Sequence, residues 1–267
     1  MRLLLDFLRR DFRIELAYKM KFATDLFYVI FVVLLYHFLS KMMSTRANAY
    51  LERYQCDYFS FVMVGIALGN VLQAGLQNFS ENMRKFMAEG SLESMFISPT
   101  AHYKLIAYSS VWPFCYSILK TALQFFVAWA AFGFTLKRMN PVSALLATSF
   151  SLIMFLSIGV ISGSALIVLK RGDPVNWLVI QLSHIFGGIL FPVQLLPHWA
   201  QVVAWLFPVR CALDTMRGAM LAGSSVGSMR GELAVLALLT VLLAGASLAA
   251  CTLFVNSSRR SGALALF

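Results

Sequence analysis

Six long apolar runs separated by short charged segments organise the chain. They are Phe22–Leu39, Tyr58–Phe79, Leu105–Phe134, Val142–Leu169, Val175–Phe191 and Leu233–Val255. A helix rises 1.5 Å per residue and needs roughly 20 residues to cross about 30 Å of hydrocarbon. Most of the runs reach that length. The pattern predicts an all-α polytopic membrane protein with six transmembrane helices in a single domain over 1–267. The fifth run is short and ends in a Gly/Pro-broken segment, Gly187-Gly188-Ile189-Leu190-Phe191-Pro192, followed by Pro197-His198-Trp199. Hydrocarbon offers no water to bare backbone groups, so a broken helix persists there only when buried in protein or beside a cavity. The break therefore reads as the start of a re-entrant helical hairpin between spans five and six. The third run carries Trp112-Pro113, which predicts a kink or a tilt.

Ahead of the first run, residues 1–21 read as an N-terminal interfacial helix. Asp6, Arg9, Arg10 and Arg13 recur at helical spacing on one face, and Leu5, Leu8, Phe12 and Leu16 form an apolar stripe beside them. Charges run throughout this segment and no small-residue cleavage site follows the first apolar run, which argues against a secretory signal peptide.

Composition supports the membrane reading. The chain is 60% hydrophobic and 13% charged, whereas soluble domains are nearer one half apolar and one quarter charged. The net charge of +10 sits in the short segments between runs. It reads as topogenic charge and attraction to anionic membrane lipids, with no nucleic-acid partner. With the N-terminus inside, 13 of the 22 Lys and Arg residues fall on inner segments, six of them before span one. This predicts N-in, C-in topology. Cys56, Cys115, Cys211 and Cys251 have no metal-ligand spacing, so no metal site is expected; a Cys56–Cys211 pair on the outer side is a weak alternative.

Polar residues inside the runs are the next signal, because they are costly against lipid. Asn70, Gln73 and Gln77 form a stripe on span two, and Lys120 and Gln124 lie four residues apart on span three. Two readings stay open: a lining for an amphipathic substrate, with Lys120 drawing an anionic group, or interhelical bonding with Lys120 paired internally. Asp25, four residues after Lys21, reads as half of a local ion pair. His37 and His184 stand alone in their runs and read as structural. Gly65-xxx-Gly69 and Gly159-xxx-Gly163 permit close helix approach. Trp199, Trp205 and Phe207 fit either an interfacial belt or an aromatic outer gate.

The segment from Glu81 to Pro99 mixes charge with Phe86, Met87, Leu92, Met95 and Phe96. Within it, Glu89-Gly90-Ser91-Leu92-Glu93 and Ser98-Pro99 resemble the G-T-L-E…P loop of type-2 ABC exporter permeases, with Ser91 in place of Thr. The stretch Gly187-Gly188, Phe191-Pro192, Leu196-Pro197, Trp199, Trp205, Pro208, Leu213 and Arg217 resembles the signature of the same family. The resemblance implies a permease subunit that dimerises, as a homodimer or with a related permease, and binds two copies of a cytosolic ABC ATPase. It implies a coupling-helix loop over 81–97, with Glu89, Gly90, Leu92, Glu93 and Met95 contacting the ATPase and Lys170 and Arg171 as a second inner contact. It implies a re-entrant outer segment over 192–222, with Phe191, Pro192, Trp199 and Trp205 as an outer gate. It also places the protein in an inner (cytoplasmic) bacterial membrane.

No GxxxxGK[ST] phosphate loop occurs in the sequence. No cofactor is expected in this chain; ATP and Mg are expected in the partner subunit. Catalytic residues are not expected either, because His37, His102, His184 and His198 are spread without motif context. That argues against an integral membrane lipid enzyme. An ion-coupled secondary transporter calls for mid-membrane acids and an inverted repeat, and neither is visible. The leading expectation is an ATP-driven exporter of an amphipathic, lipid or lipid-linked substrate, working by alternating access.

Overall fold

The computed structural model describes residues 9–10, 12–13, 18–51, 54, 56–88, 102–136, 138–169 and 174–260. Among them every regular element is a helix, and there are no strands. Eight α-helices follow one another: α1 Lys19–Leu51, α2 Tyr58–Ala88, α3 His102–Phe132, α4 Pro141–Leu169, α5 Pro174–Phe186, α6 His198–Trp205, α7 Pro208–Met220 and α8 Arg230–Arg260. A 3-10 turn, Val193–Leu195, separates α5 from α6.

Three helices start on proline (Pro141, Pro174 and Pro208), where a missing N–H and a fixed φ cost nothing. Asn140 caps α4 by accepting a hydrogen bond from the Ser143 amide at 3.2 Å. Inside the apolar α4, the hydroxyls of Thr148, Ser149, Ser151, Ser157 and Ser164 each donate to the carbonyl four residues back. Each polar group is thereby satisfied within its own helix.

Five helices carry segments long and apolar enough to cross a membrane: Lys19–Met42, Tyr58–Asn78, Val111–Phe132, Pro141–Ser164 and Arg230–Ala250. The sequence pattern predicted a sixth such helix over Val175–Phe191, but α5 has only 13 residues and stops at Phe186. Gly188 adopts φ +75°, a left-handed conformation that ends the helix. The third run also ends earlier than its apolar pattern, at Phe132, and α3 continues through Pro113. The segment 81–88, expected to belong to a separate loop, continues α2 without a break. Nothing between Phe79 and Ala88 is glycine or proline, so nothing there stops the helix.

The bundle is built around α2. Within its membrane-length segment 83% of residues are buried, against 17% in α1 and 22% in both α3 and α8. α1 and α3 pack on one side of α2, α4 packs on another, and α5 and α7 also touch it; α8 closes against α4 and α7. α2 and α4 approach closely. A Cβ on Gly159 would stand 2.1 Å from the Gly75 carbonyl oxygen. The peripheral helices keep large apolar side chains turned outward, including Phe27 and Phe31 on α1, Phe126 and Trp129 on α3, and Leu238 and Leu242 on α8. Such surfaces are stable only against lipid or another protein. The chain is thus an integral membrane protein. Of the N-terminal segment, Arg9, Arg10, Phe12 and Arg13 are helical and exposed, and the Phe12 ring meets Trp112 edge-on at 5.6 Å.

Candidate functional site

Where α5 breaks, three successive backbone carbonyls lose their helical partners, and buried side chains replace them. Arg217 on α7 donates from Nη1 to the Gly188 carbonyl at 2.9 Å. Its Nη2 donates to Ile189 O at 2.9 Å and to Phe61 O at 3.3 Å. The Tyr58 hydroxyl donates to Leu190 O at 2.9 Å. Arg217 is 2% exposed, and its guanidinium lies 3.4 Å from the centroid of the Phe61 ring. A buried charge is tolerable only when hydrogen-bonded. Here a planar fork matches two adjacent carbonyls while its face rests on an aromatic ring.

Gly65 on α2 makes room for this clamp. A Cβ there would lie 2.1 Å from Ile189 O and 2.6 Å from Arg217 Nη2. The small-residue motif read from the sequence therefore admits a backbone carbonyl and an arginine rather than a smooth helix. Around the clamp, Asp214 accepts a hydrogen bond from the Tyr54 hydroxyl at 2.9 Å and stands 3.8 Å from Arg210 Nε. α7 is consequently tied to the α1–α2 connection, to α2 and to the break.

The intramembrane polar residues divide into three groups. Asn70 Nδ2 donates to Gln124 Oε1 at 3.1 Å, Gln124 Nε2 donates to Met63 O at 3.2 Å, and Ser117 Oγ donates to Asn70 O at 3.2 Å. These make a polar seam between α2 and α3. Gln73 is exposed and donates to Gln77 at 3.2 Å along the same helix. Ile66, Asn70, Gln73, Ala74, Gln77 and Glu81 are the positions of α2 from Tyr58 on that are described as not buried. Their spacing of four, three, one, three and four residues defines one helical face. Lys120 joins neither group. It forms a 2.7 Å ion pair with Asp25 on α1, and the Tyr116 hydroxyl donates to the same carboxylate. Asp25, read from the sequence as a local partner of Lys21, thus links α1 to α3, while Lys21 Nζ sits 5.6 Å over the Tyr116 ring.

Phe191 is half-buried and Pro192 buried beside the break, whereas Trp199 and Trp205 are 66% and 75% exposed. Within one chain the two tryptophans turn outward and do not join Phe191 inside. The His37 ring stacks on Phe132 at 4.1 Å. Cys56 and Cys211 are separate thiols, and burial pushes the Cys56 thiol up to about 12, so it stays protonated. Among the described residues no group of three or more His, Cys, Asp or Glu is placed to hold a metal. Glu89, Gly90, Leu92, Glu93, Met95, Lys170 and Arg171 lie outside the described residues.

Sequence reasoning named Arg217 only as part of a motif and gave Tyr54 and Asp214 no role. A signal existed: Asp214 and Arg217 are the charged residues of a helix otherwise dominated by small and apolar side chains after Arg210. Charged groups in such a setting imply partners in the fold.

No curated protein matches the chain. The family model for the ABC-2 type transporter matches residues 3–221, which includes the polar face of α2, the break and the whole of α7. By that match over most of its length, the chain belongs to the ABC-2 type transporter family and is a membrane permease component of an ABC transporter.

Proposed function

We propose that this chain is the permease subunit of an ATP-driven exporter that moves an amphipathic, lipid or lipid-linked substrate by alternating access. The observation that carries the proposal is the open face of α2. A helix whose Tyr58–Asn78 segment is 83% buried leaves Gln73 and Glu81 exposed and Gln77 partly exposed along one line. Amide side chains are expensive against lipid, so that line faces a water-bearing pathway or a second copy of the chain. A homodimer, or a pair with a related permease, sets two such faces around one pathway with apolar flanks.

In this reading α2 is also the mechanical link. It has 31 residues, about 46 Å of continuous helix, more than the hydrocarbon requires. Its inner end leads in sequence into the 89–97 segment proposed to engage the ATPase through Glu89, Gly90, Leu92, Glu93 and Met95, with Lys170 and Arg171 as a second proposed contact. Toward its other end, Gly65 abuts the Arg217 clamp. Tilting of α2 would therefore move the break and the short elements beyond it. Those elements, within 192–222, form the re-entrant closure of the outer side, with Phe191, Pro192, Trp199 and Trp205 as its gate, and α5 with the break makes the fifth of six crossings. The termini lie inside, in a bacterial inner membrane. Two cytosolic ATPase subunits bind ATP and Mg. Asn70 and Gln124 hold the wall of the pathway, and Lys120 borders it as half of a neutral pair.

Co-purification with the ATPase encoded nearest to this gene, followed by hydrolysis rates in lipid with and without this chain, tests the proposal. A stable complex with altered hydrolysis is expected. Absence of a complex with every candidate ATPase overturns it.

A further inference from the structure

α5 is tied to α2 at both of its ends. Near its start, Asn176 is 3% exposed, and its Nδ2 donates to the Leu76 carbonyl of α2 at 2.8 Å. Just past its end, the Tyr58 hydroxyl holds Leu190 O, and Arg217 Nη2 bridges Ile189 O to Phe61 O. Tyr58, Phe61 and Leu76 all belong to α2. Fifteen residues of α2, about 22 Å of helix, separate Phe61 from Leu76, and the 13 residues of α5 span about 20 Å. The two helices therefore lie side by side in opposite directions, pinned at matching heights.

Between the pins α5 is lightly held. From Asn176 to Phe186 the buried residues are Asn176 and Ser183, both polar, with Val179 and Ile180 half-buried against the core. Trp177, Leu178, Gln181 and Ile185 face outward. Apolar burial adds little to helix association inside a bilayer, where packing and interhelical hydrogen bonds set the geometry. The Leu76 carbonyl lies inside α2 and keeps its own helical partner, so the Asn176 amide takes its second lone pair. α2 does not need this bond; its effect is to fix where α5 stands. Asn176 is also two residues into α5, which follows the Lys170–Asp173 segment directly in sequence.

We propose that Asn176 is a positioning residue that makes α2 and α5 move as one body during the transport cycle. The inference rests on the exporter reading, in which α2 is the moving link. One proposed ATPase contact follows α2 in sequence and the other precedes α5, so with Asn176 in place both drive the same pair of helices. Without it, the start of α5 is free to swing about the Arg217 clamp.

Spin labels at Glu81→Cys and Leu178→Cys, both exposed positions, report the spacing of the two helix ends that Asn176 joins. The chain has its four native cysteines replaced, is diluted with unlabelled copies and is reconstituted with its ATPase. Electron paramagnetic resonance should give a distance that differs by less than about 2 Å between the nucleotide-free and ATP-trapped states. Asn176→Leu, close in volume but without a donor, should let that distance shift by several ångströms or broaden in one state. Asn176→Gln, which keeps a donating amide, should restore part of the fixed spacing, and Asn176→Ala serves if Asn176→Leu does not fold. A nucleotide-dependent shift in the unmodified chain as large as in Asn176→Leu overturns the inference. So does a spacing as fixed in Asn176→Leu as in the unmodified chain. Maleimide labelling of Gln73→Cys in the same complexes shows separately whether the cycle moves α2. No nucleotide dependence there defeats the exporter reading and the inference with it, whereas nucleotide dependence there with an unfixed 81–178 spacing defeats the inference alone.

Discussion

Replacing Arg217 with methionine tests whether the clamp holds the broken segment in place. Methionine keeps much of the volume and removes the charge. Phe61 O lies inside α2 and retains its own helical partner, so the groups left bare are Gly188 O and Ile189 O, each of which received a 2.9 Å bond. An unsatisfied buried acceptor costs about 1–3 kcal/mol, and loss of the stacked cation over Phe61 adds about 2 kcal/mol. Relief of the buried charge works in the opposite direction. The net expectation is a loss of about 2–4 kcal/mol. Lysine cannot serve two adjacent carbonyls with a planar fork, so Arg217→Lys should recover less than half of the loss. Equilibrium unfolding in mixed micelles of mild detergent and dodecyl sulfate measures both. Gly65→Ala displaces the Ile189 carbonyl and the Arg217 guanidinium from the α2 side, so its cost and that of Arg217→Met should not add in the double variant. Loss below about 0.5 kcal/mol in Arg217→Met, or simple additivity with Gly65→Ala, refutes the reasoning.

Other consequences follow from the same geometry. Gly159→Val forces a side chain into the Gly75 carbonyl and should cost about 3 kcal/mol or more by the same unfolding measurement. Asp25→Asn and Lys120→Met each break a part-buried pair and should each cost about 1–3 kcal/mol, while the double variant costs clearly less than their sum. Glu93→Arg should leave insertion intact and separate ATP hydrolysis from transport in proteoliposomes; unaltered coupling counts against its assignment to the ATPase contact.

The architecture was legible where physics is periodic. Apolar runs of membrane length mark five helices because nothing else in the sequence can bury them. The Gly187-Gly188 pair marked the end of α5 because Gly188 takes a conformation other residues avoid. What the sequence concealed is pairing across the bundle. Asp25 and Lys120 lie 95 residues apart, and the sequence pointed only to the nearer basic residue, Lys21, which also acts on Asp25 through space. Likewise, the break announced unsatisfied carbonyls, yet nothing local said that a side chain 28 residues away would satisfy Ile189. Apolar periodicity ran on past Phe186 and Phe132 because hydrophobicity reports burial, and extended segments can be buried as well as helices. On the polar stripe, the pattern grouped Asn70, Gln73 and Gln77 correctly by face, but only the packing separates Asn70, bonded to Gln124, from Gln73, which is left open.

The central claim is that the open face of α2 borders a pathway that changes with the ATPase cycle. It is tested most directly by Gln73→Cys in a chain whose four native cysteines are replaced, co-reconstituted with its ATPase and treated with a membrane-impermeant maleimide. The account predicts labelling at Gln73→Cys that differs at least severalfold between the nucleotide-free and ATP-trapped states, with no labelling of lipid-facing Leu242→Cys in either. Absence of labelling at Gln73→Cys in both states would contradict it and place that face against lipid or sealed protein.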